Sequence, residues 1–282
     1  MTDPAGGAPR AGSDADVCYR HADRRSFVLC QRCGRTVCPA CQTPAPVGVH
    51  CPECVASARA AQPKRPSALQ RAFRPGSRVP VVSYSILAVT IAVFVLQLIT
   101  QGIVTNAFAY YPPLTVAEPW RMLTVALVHS DSSFFHILFN MYSLFVLGPL
   151  LESLVGRARF GAIYVLSTLG GSVAVLWLAP LTAVVGASGA IFGLLGAFFV
   201  IQRRLGGASV QLVVIIVINL GLGFVVPGVS WQAHVGGLLV GAACAAVMLR
   251  TRRADQQRRQ ALLIAVIGGV LVLATIARFT LF

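Results

Sequence analysis

The chain has 282 residues, of which 56% are hydrophobic and 11% charged, where an ordinary soluble domain carries about 25% charged residues. That balance, with a mean hydropathy of +0.74, excludes a soluble globular enzyme and points to a chain that crosses a membrane several times. The net charge of +14 calls for no nucleic-acid partner: 12 of the 23 Lys and Arg residues precede residue 79, and loop charge that sets membrane orientation accounts for them.

Residues 1–16 are Gly, Ala, Pro and Asp without periodicity and are expected to be disordered. Residues 17–55 hold seven of the eight cysteines. They read Cys18-x2-His21, Cys30-x2-Cys33, Cys38-x2-Cys41 and Cys51-x2-Cys54, which is four ligand pairs at zinc spacing. Eight ligands suit two structural zinc ions at four ligands each. His50 is an alternative to Cys51 for one position. Two sequential sites and an interleaved arrangement (first pair with third, second with fourth) both satisfy the spacing; the interleaved one resembles B-box and RING-like modules. A signal peptide is not visible, since the first apolar run begins near Val81. The module is therefore expected in the cytosol, where its thiols stay reduced and bind metal. Residues 56–80, rich in Ala, Arg and Pro, read as a basic linker that meets anionic lipid at the membrane surface.

Seven apolar segments follow, near 81–101, 134–151, 159–179, 188–202, 210–226, 232–249 and 261–281. A helix needs roughly 20 residues to cross the hydrocarbon core; the fourth, with about 15, reaches only roughly 22 Å. Arginines crowd alternate loops: Arg157 and Arg159; Arg203 and Arg204; Arg250, Arg252, Arg253, Arg258 and Arg259. The intervening loops carry only Arg121. This pattern predicts a cytosolic N-terminus and a C-terminus outside the cell membrane. Lone Cys244, inside an apolar run, reads as a packing residue.

In that topology spans two, four and six enter from the outer side, so His136, Ser188 and His234 share a depth. Ser188 opens span four within Gly186-Ala187-Ser188-Gly189, at a helix N-terminus whose free N–H groups can stabilise an oxyanion. Taken alone, that tetrapeptide is also an ordinary small-residue packing patch. His234 opens span six. Gly189 and Gly193 on one helix, and Gly237 and Gly241 on the other, let the backbones approach closely. The imidazole then serves as the base that a serine hydroxyl needs. No Asp or Glu occurs between Glu152 and Asp255. Asp131 and Glu118 in the first outer loop stay open as a third member, but a dyad is the simpler expectation, with Phe192 packing on the imidazole. His136 and Asn140, four residues apart, share a helix face and are expected to donate hydrogen bonds to the oxyanion.

These residues together resemble the rhomboid family of intramembrane serine proteases, over about residues 81–250. Trp120-Arg121, His136-xxx-Asn140, Glu152-xxx-Gly156, Gly186-Ala187-Ser188-Gly189 and Ala233-His234-x-Gly236-Gly237 with Gly241 each match a family motif. The resemblance implies Ser188 and His234 as the catalytic pair and His136 and Asn140 as oxyanion residues. No catalytic cofactor is implied. Some members place a tyrosine where this chain has Phe192. The expected fold is an all-α polytopic membrane protein: a six-helix rhomboid-like core (81–250), then a cytosolic loop and a seventh C-terminal transmembrane helix (251–282), all preceded by the zinc module. The expected partners are single-span or polytopic membrane protein substrates and the lipid bilayer, with peptide bonds cut in or near transmembrane segments. The alternative is a catalytically silent relative that binds membrane clients. A transporter is disfavoured, because spans three to six hold no acidic residue.

Overall fold

The computed structural model describes residues 16–61, 79–207, 210–226 and 228–281. The expected disordered stretch up to residue 15 and the linker over 62–78 lie outside these. The described residues belong to two compact units.

The first unit is built around its thiols. Strands β1 (Val17–Cys18) and β2 (His21–Arg25) pair antiparallel, as do β3 (Thr43–Pro44) and β4 (Val49–His50). Apart from Val37, its buried apolar cluster consists of cysteines. Helix α1 (Pro52–Ala61) opens with proline, the residue best suited to a first helical position, and carries Cys54 on its buried face. It runs past residue 55, the expected end of the module, because an Ala-rich stretch follows and nothing there breaks the helix.

The second unit is helical. Helix α2 (Val81–Thr100) leads to two short helices in the loop that follows it, α3 (Ile103–Phe108) and α4 (Arg121–Thr124). Then come α5 (Phe134–Val155), α6 (Arg157–Leu178), α7 (Ser188–Arg204), α8 (Val210–Val225), α9 (Trp231–Arg250) and α10 (Gln257–Leu281). The seven long helices coincide with the seven expected segments. Five are long and apolar enough to cross a membrane; α7 and α8 are shorter. The chain is thus an all-α, multi-pass membrane protein.

Glycines set the packing at its centre. A Cβ on Gly237 would collide with the Gly189 carbonyl, one on Gly241 with Gly193, and one on Gly196 with Leu238. So α7 and α9 touch backbone to backbone, which only small residues permit. Helix α6 completes the trio, with Gly170 against Gly236 and Gly171 against Ala233. Glu152 near the end of α5 accepts hydrogen bonds from the backbone N–H of Val82 (3.0 Å) and Ser83 (2.7 Å) and from the Ser83 hydroxyl (2.7 Å). It thereby satisfies the orphan donors at the start of α2.

Candidate active site and metal centres

The sites grow from local chain geometry. In the first unit, the chain turns after Cys33 through Gly34, whose φ of 72° suits glycine, and Gly34 N–H donates to the Cys30 carbonyl at 2.8 Å. Turns of this kind bring the ligand pairs together in interleaved order. Cys18, His21, Cys38 and Cys41 form one tetrad; Cys30, Cys33, Cys51 and Cys54 form the other. Within each, the ligand atoms lie within 4.8 Å of one another. His21 Nδ1 is 3.4 Å from both Cys38 Sγ and Cys41 Sγ and 3.8 Å from Cys18 Sγ. Such separations suit the edges of a tetrahedron whose centre-to-sulfur bonds are about 2.3 Å. Cys51, and not His50, completes the second tetrad.

The charges in these tetrads call for a cation. Neighbouring thiols, Cys51 first, together with burial push Cys54 up to about 12. Burial, and then Cys18 and Cys38, push Cys41 up to about 11. In each tetrad one thiol is thus held protonated by its neighbours, while backbone N–H donors help to lower Cys18, Cys30 and Cys51; a metal ion removes the penalty on the last thiol. Arg35 already acts in that direction at Cys33, donating from Nε at 3.3 Å and holding the thiol below its usual range.

In the second unit, Gly186 takes φ 119°, a value that favours glycine, and turns the chain into α7. The two residues before Ser188 are pinned to the loop between α2 and α5. Gly186 N–H donates to the Val125 carbonyl (3.0 Å) and Ala187 N–H to His129 Nε2 (3.4 Å). His129 is fully buried. Burial, and then the neighbouring His136, push it down to about 3, so it stays a neutral acceptor. Gln97 of α2 clamps the His129 backbone from both sides, at 2.9 and 3.0 Å. Neither residue stands out in the sequence. A loop histidine among serines has no helical spacing to betray it, and the Gln97–His129 pairing spans 32 residues.

His136 accepts a hydrogen bond at Nδ1 from Ser130 N–H (3.2 Å), which assigns its proton to Nε2. That Nε2 faces the turn before Ser188: a methyl on Gly186 would lie 2.8 Å from His136 Nε2 and 3.8 Å from Ser188 Oγ. The first turn of α7, the serine hydroxyl and this donor therefore border one spot. Asn140 is only 7% exposed and is turned back on its own helix. Its Nδ2 donates to the His136 carbonyl at 2.8 Å, and its Oδ1 is buried without a hydrogen-bond partner among the described residues.

Ser230 caps α9, its hydroxyl accepting from Ala233 N–H at 3.3 Å. This fixes the turn that carries His234. The imidazole is 5% exposed and lies flat on Phe192, with centroids 4.0 Å apart and planes 12° apart. Phe192 stands one turn below Ser188, and Gly189, next to the serine, packs on Ala233, next to the histidine. No hydrogen bond joins Ser188 to His234 in this structure. Such bonds commonly tighten only when substrate binds. The two candidate acids both have other partners. Glu118 pairs with Arg121, and Asp131 accepts from Gln97 (3.1 Å) and Thr105 (3.1 Å). His234 Nδ1 is buried with no hydrogen-bond partner among the described residues.

With this geometry in place, the similarities fall into order. Residues 116–251 match the model of the Rhomboid domain. The chain is 34% identical over 180 residues to the rhomboid protease GluP of Bacillus subtilis, covering 60% of this chain and 35% of that protein. It is 42% identical over 137 residues to RHOMBOID-like protein 5 of Arabidopsis thaliana, covering 44% and 42%. With RHOMBOID-like protein 2 of the same plant it shares 37% over 139 residues, covering 47% and 43%. The matched stretch thus spans less than half the length of each of these relatives.

Proposed function

Because the chain belongs to the rhomboid family, a family of intramembrane proteases, we propose that it is an active serine endopeptidase that cuts membrane proteins in or near their transmembrane segments with the dyad Ser188 and His234. The observation that carries this reading is the flat stacking of His234 on Phe192, one turn from Ser188, with the Nε2 donor of His136 facing the same turn.

In the proposed cycle, Ser188 Oγ attacks the scissile carbonyl while His234 takes the hydroxyl proton. The developing oxyanion accepts hydrogen bonds from His136 Nε2–H and the Ser188 backbone N–H. Asn140 contributes the amide hydrogen that its bond to the His136 carbonyl leaves over. His234 then passes its proton to the departing amine, and the peptide C–N bond breaks. Water, deprotonated by His234, hydrolyses the acyl-serine and restores the hydroxyl. Each donor acts where charge develops, which is where a hydrogen bond lowers the barrier most.

The same reading places the N-terminus in the cytosol and the C-terminus outside, because the arginine-rich loops fall at one end of the helices and Ser188 and His234 at the other. The metal held by the two cysteine tetrads is zinc. It acts structurally, since four protein ligands fill each site, and it supplies folding free energy to a unit with little apolar core.

The test is co-expression with single-span membrane reporters, comparing wild type with Ser188→Ala and His234→Ala. Cleavage by wild type and its loss in both variants is the expected outcome. Processing that continues unchanged in Ser188→Ala, with the protein folded, overturns the reading in favour of a silent client-binding relative. A fluorophosphonate probe should label wild type and leave Ser188→Ala unlabelled.

A further inference from the structure

Away from Ser188, at the arginine-rich end of the helices, α6, α9 and α10 line an open cavity of about 510 Å³. That size lies in the range, about 300–1,000 Å³, of pockets that hold a drug-sized ligand. Its walls are apolar, from Ala162, Leu166, Met248 and Ile264 among others, and Gln257, Gln260 and Arg159 close its basic end. No acidic residue lines it. Arg159 does not dangle there. Its Nε donates to Gln260 Oε1 at 2.6 Å. Gln260, 7% exposed, is itself fixed by donating to the carbonyls of Met248 (3.3 Å) and Thr251 (3.0 Å) and to the Thr251 hydroxyl (2.9 Å). This leaves the terminal amino groups of Arg159 without a further hydrogen bond among the described residues. Helices α6 and α10 also both begin at this end, so their positive dipole ends favour a negative charge beside it.

We propose that this cavity is a binding site for one anionic phospholipid, with an acyl chain between α6 and α10 and the headgroup phosphate on Arg159. An apolar slot ending in a pre-oriented guanidinium matches a molecule with a long hydrocarbon tail and a phosphate. The guanidinium fork presents paired donors to phosphate oxygens. Basic pockets between transmembrane helices at the cytoplasmic face bind such headgroups. A peptide substrate fits less well, because it carries no fixed negative charge at this depth and the site lies at the far end of the bundle from Ser188. The inference is independent of catalysis. It gives α10 a function beyond spanning: together with α6 it encloses the lipid.

The test is native mass spectrometry of the full chain in detergent, titrated with phosphatidylglycerol or phosphatidylcholine. One phosphatidylglycerol should bind about tenfold more tightly than phosphatidylcholine, a difference of about 1.4 kcal/mol, and excess inorganic phosphate should not displace it. Arg159→Gln should remove the preference, and Ala265→Phe, which fills the slot, should weaken both lipids. The double variant Arg258→Gln with Arg259→Gln, at exposed positions outside the cavity, should leave the preference in place. Equal binding of the two lipids by wild type overturns the proposal. So does an equal loss of preference in the Arg159 variant and the double variant, because the attraction would then be diffuse surface charge.

Discussion

Gly241→Ala tests the link between packing and chemistry most directly. A methyl at Gly241 would lie 2.5 Å from the Gly193 carbonyl carbon and 2.6 Å from its Cα, where ordinary contact begins at 3.4 Å. Both obstacles are backbone, so no side chain can rotate away, and α7 and α9 must part by close to an ångström. Overpacking of this kind costs about 1–3 kcal/mol, which lowers Tm by about 2–12 °C in a domain of this size. The same parting moves His234 from Ser188, and a displacement of about 1 Å can cost 10²-fold in rate. Melting of the detergent-solubilised protein reads the first effect, and initial rates on a reporter substrate read the second. Gly161→Ala, at a position with open space around it, is the control and should stay within about 0.5 kcal/mol of wild type. Wild-type melting and wild-type kcat in Gly241→Ala would refute the close crossing. A lowered Tm with an unchanged kcat would refute its link to the dyad.

Phe192→Leu keeps apolar bulk against His234 but removes the aromatic face. A cation over such a face is worth about 0.5–2 kcal/mol, so kcat should fall about 2–30-fold with little change in Tm. His136→Ala removes an oxyanion donor and should lower kcat by about 10²–10³-fold while leaving KM nearly unchanged; a KM effect alone would reassign it to substrate binding. Elemental analysis of the purified full chain should find two metal equivalents, one per tetrad. Cys38→Ser should release the metal of its own tetrad and spare the other, whereas loss of both would show that the sites fold as one.

Much of this arrangement is legible in the sequence, and the reason is periodicity. Apolar runs of membrane length give the helices, and the spacing of Ser188 to Phe192 puts the stacking ring one turn from the nucleophile. Gly237 and Gly241 announce a close crossing because a bilayer leaves helices few other means of tight association. The interleaving of the ligand pairs is not legible, because four identical Cys/His spacings fit either order and only the turns between them decide. Nor are the short helices α3 and α4, which the outer loop forms through contacts such as Arg121 with the carbonyls of Asn106 and Ala109 (2.9 Å for the latter). Asn140 marks the limit of face-sharing arguments. It does share a face with His136, yet its Nδ2 donates to that residue's own carbonyl, which leaves one amide hydrogen for any other acceptor.

The distribution of carboxylates explains why a dyad is the consistent chemistry. Glu118, Asp131 and Glu152 in the helical unit each have partners other than His234. Glu118 fixes Arg121, Asp131 joins Gln97 and Thr105, and Glu152 caps α2 at the opposite end. An ionised carboxylate beside His234 would carry a heavy desolvation cost at this depth, and the fold places none there. Orientation of the imidazole therefore falls to Phe192, which holds the ring by its flat face. In the proposed cycle, with Nδ1 buried and unpartnered, the proton from Ser188 is received at Nε2, and Nδ1 carries the hydrogen of the neutral base. A buried, unpaired N–H costs about 1–3 kcal/mol, a cost present before substrate arrives and one that a carboxylate partner would remove. For the proposed dyad the close crossing of α7 and α9 offsets that cost, because Gly189 against Ala233 holds the residues beside Ser188 and His234 in backbone contact.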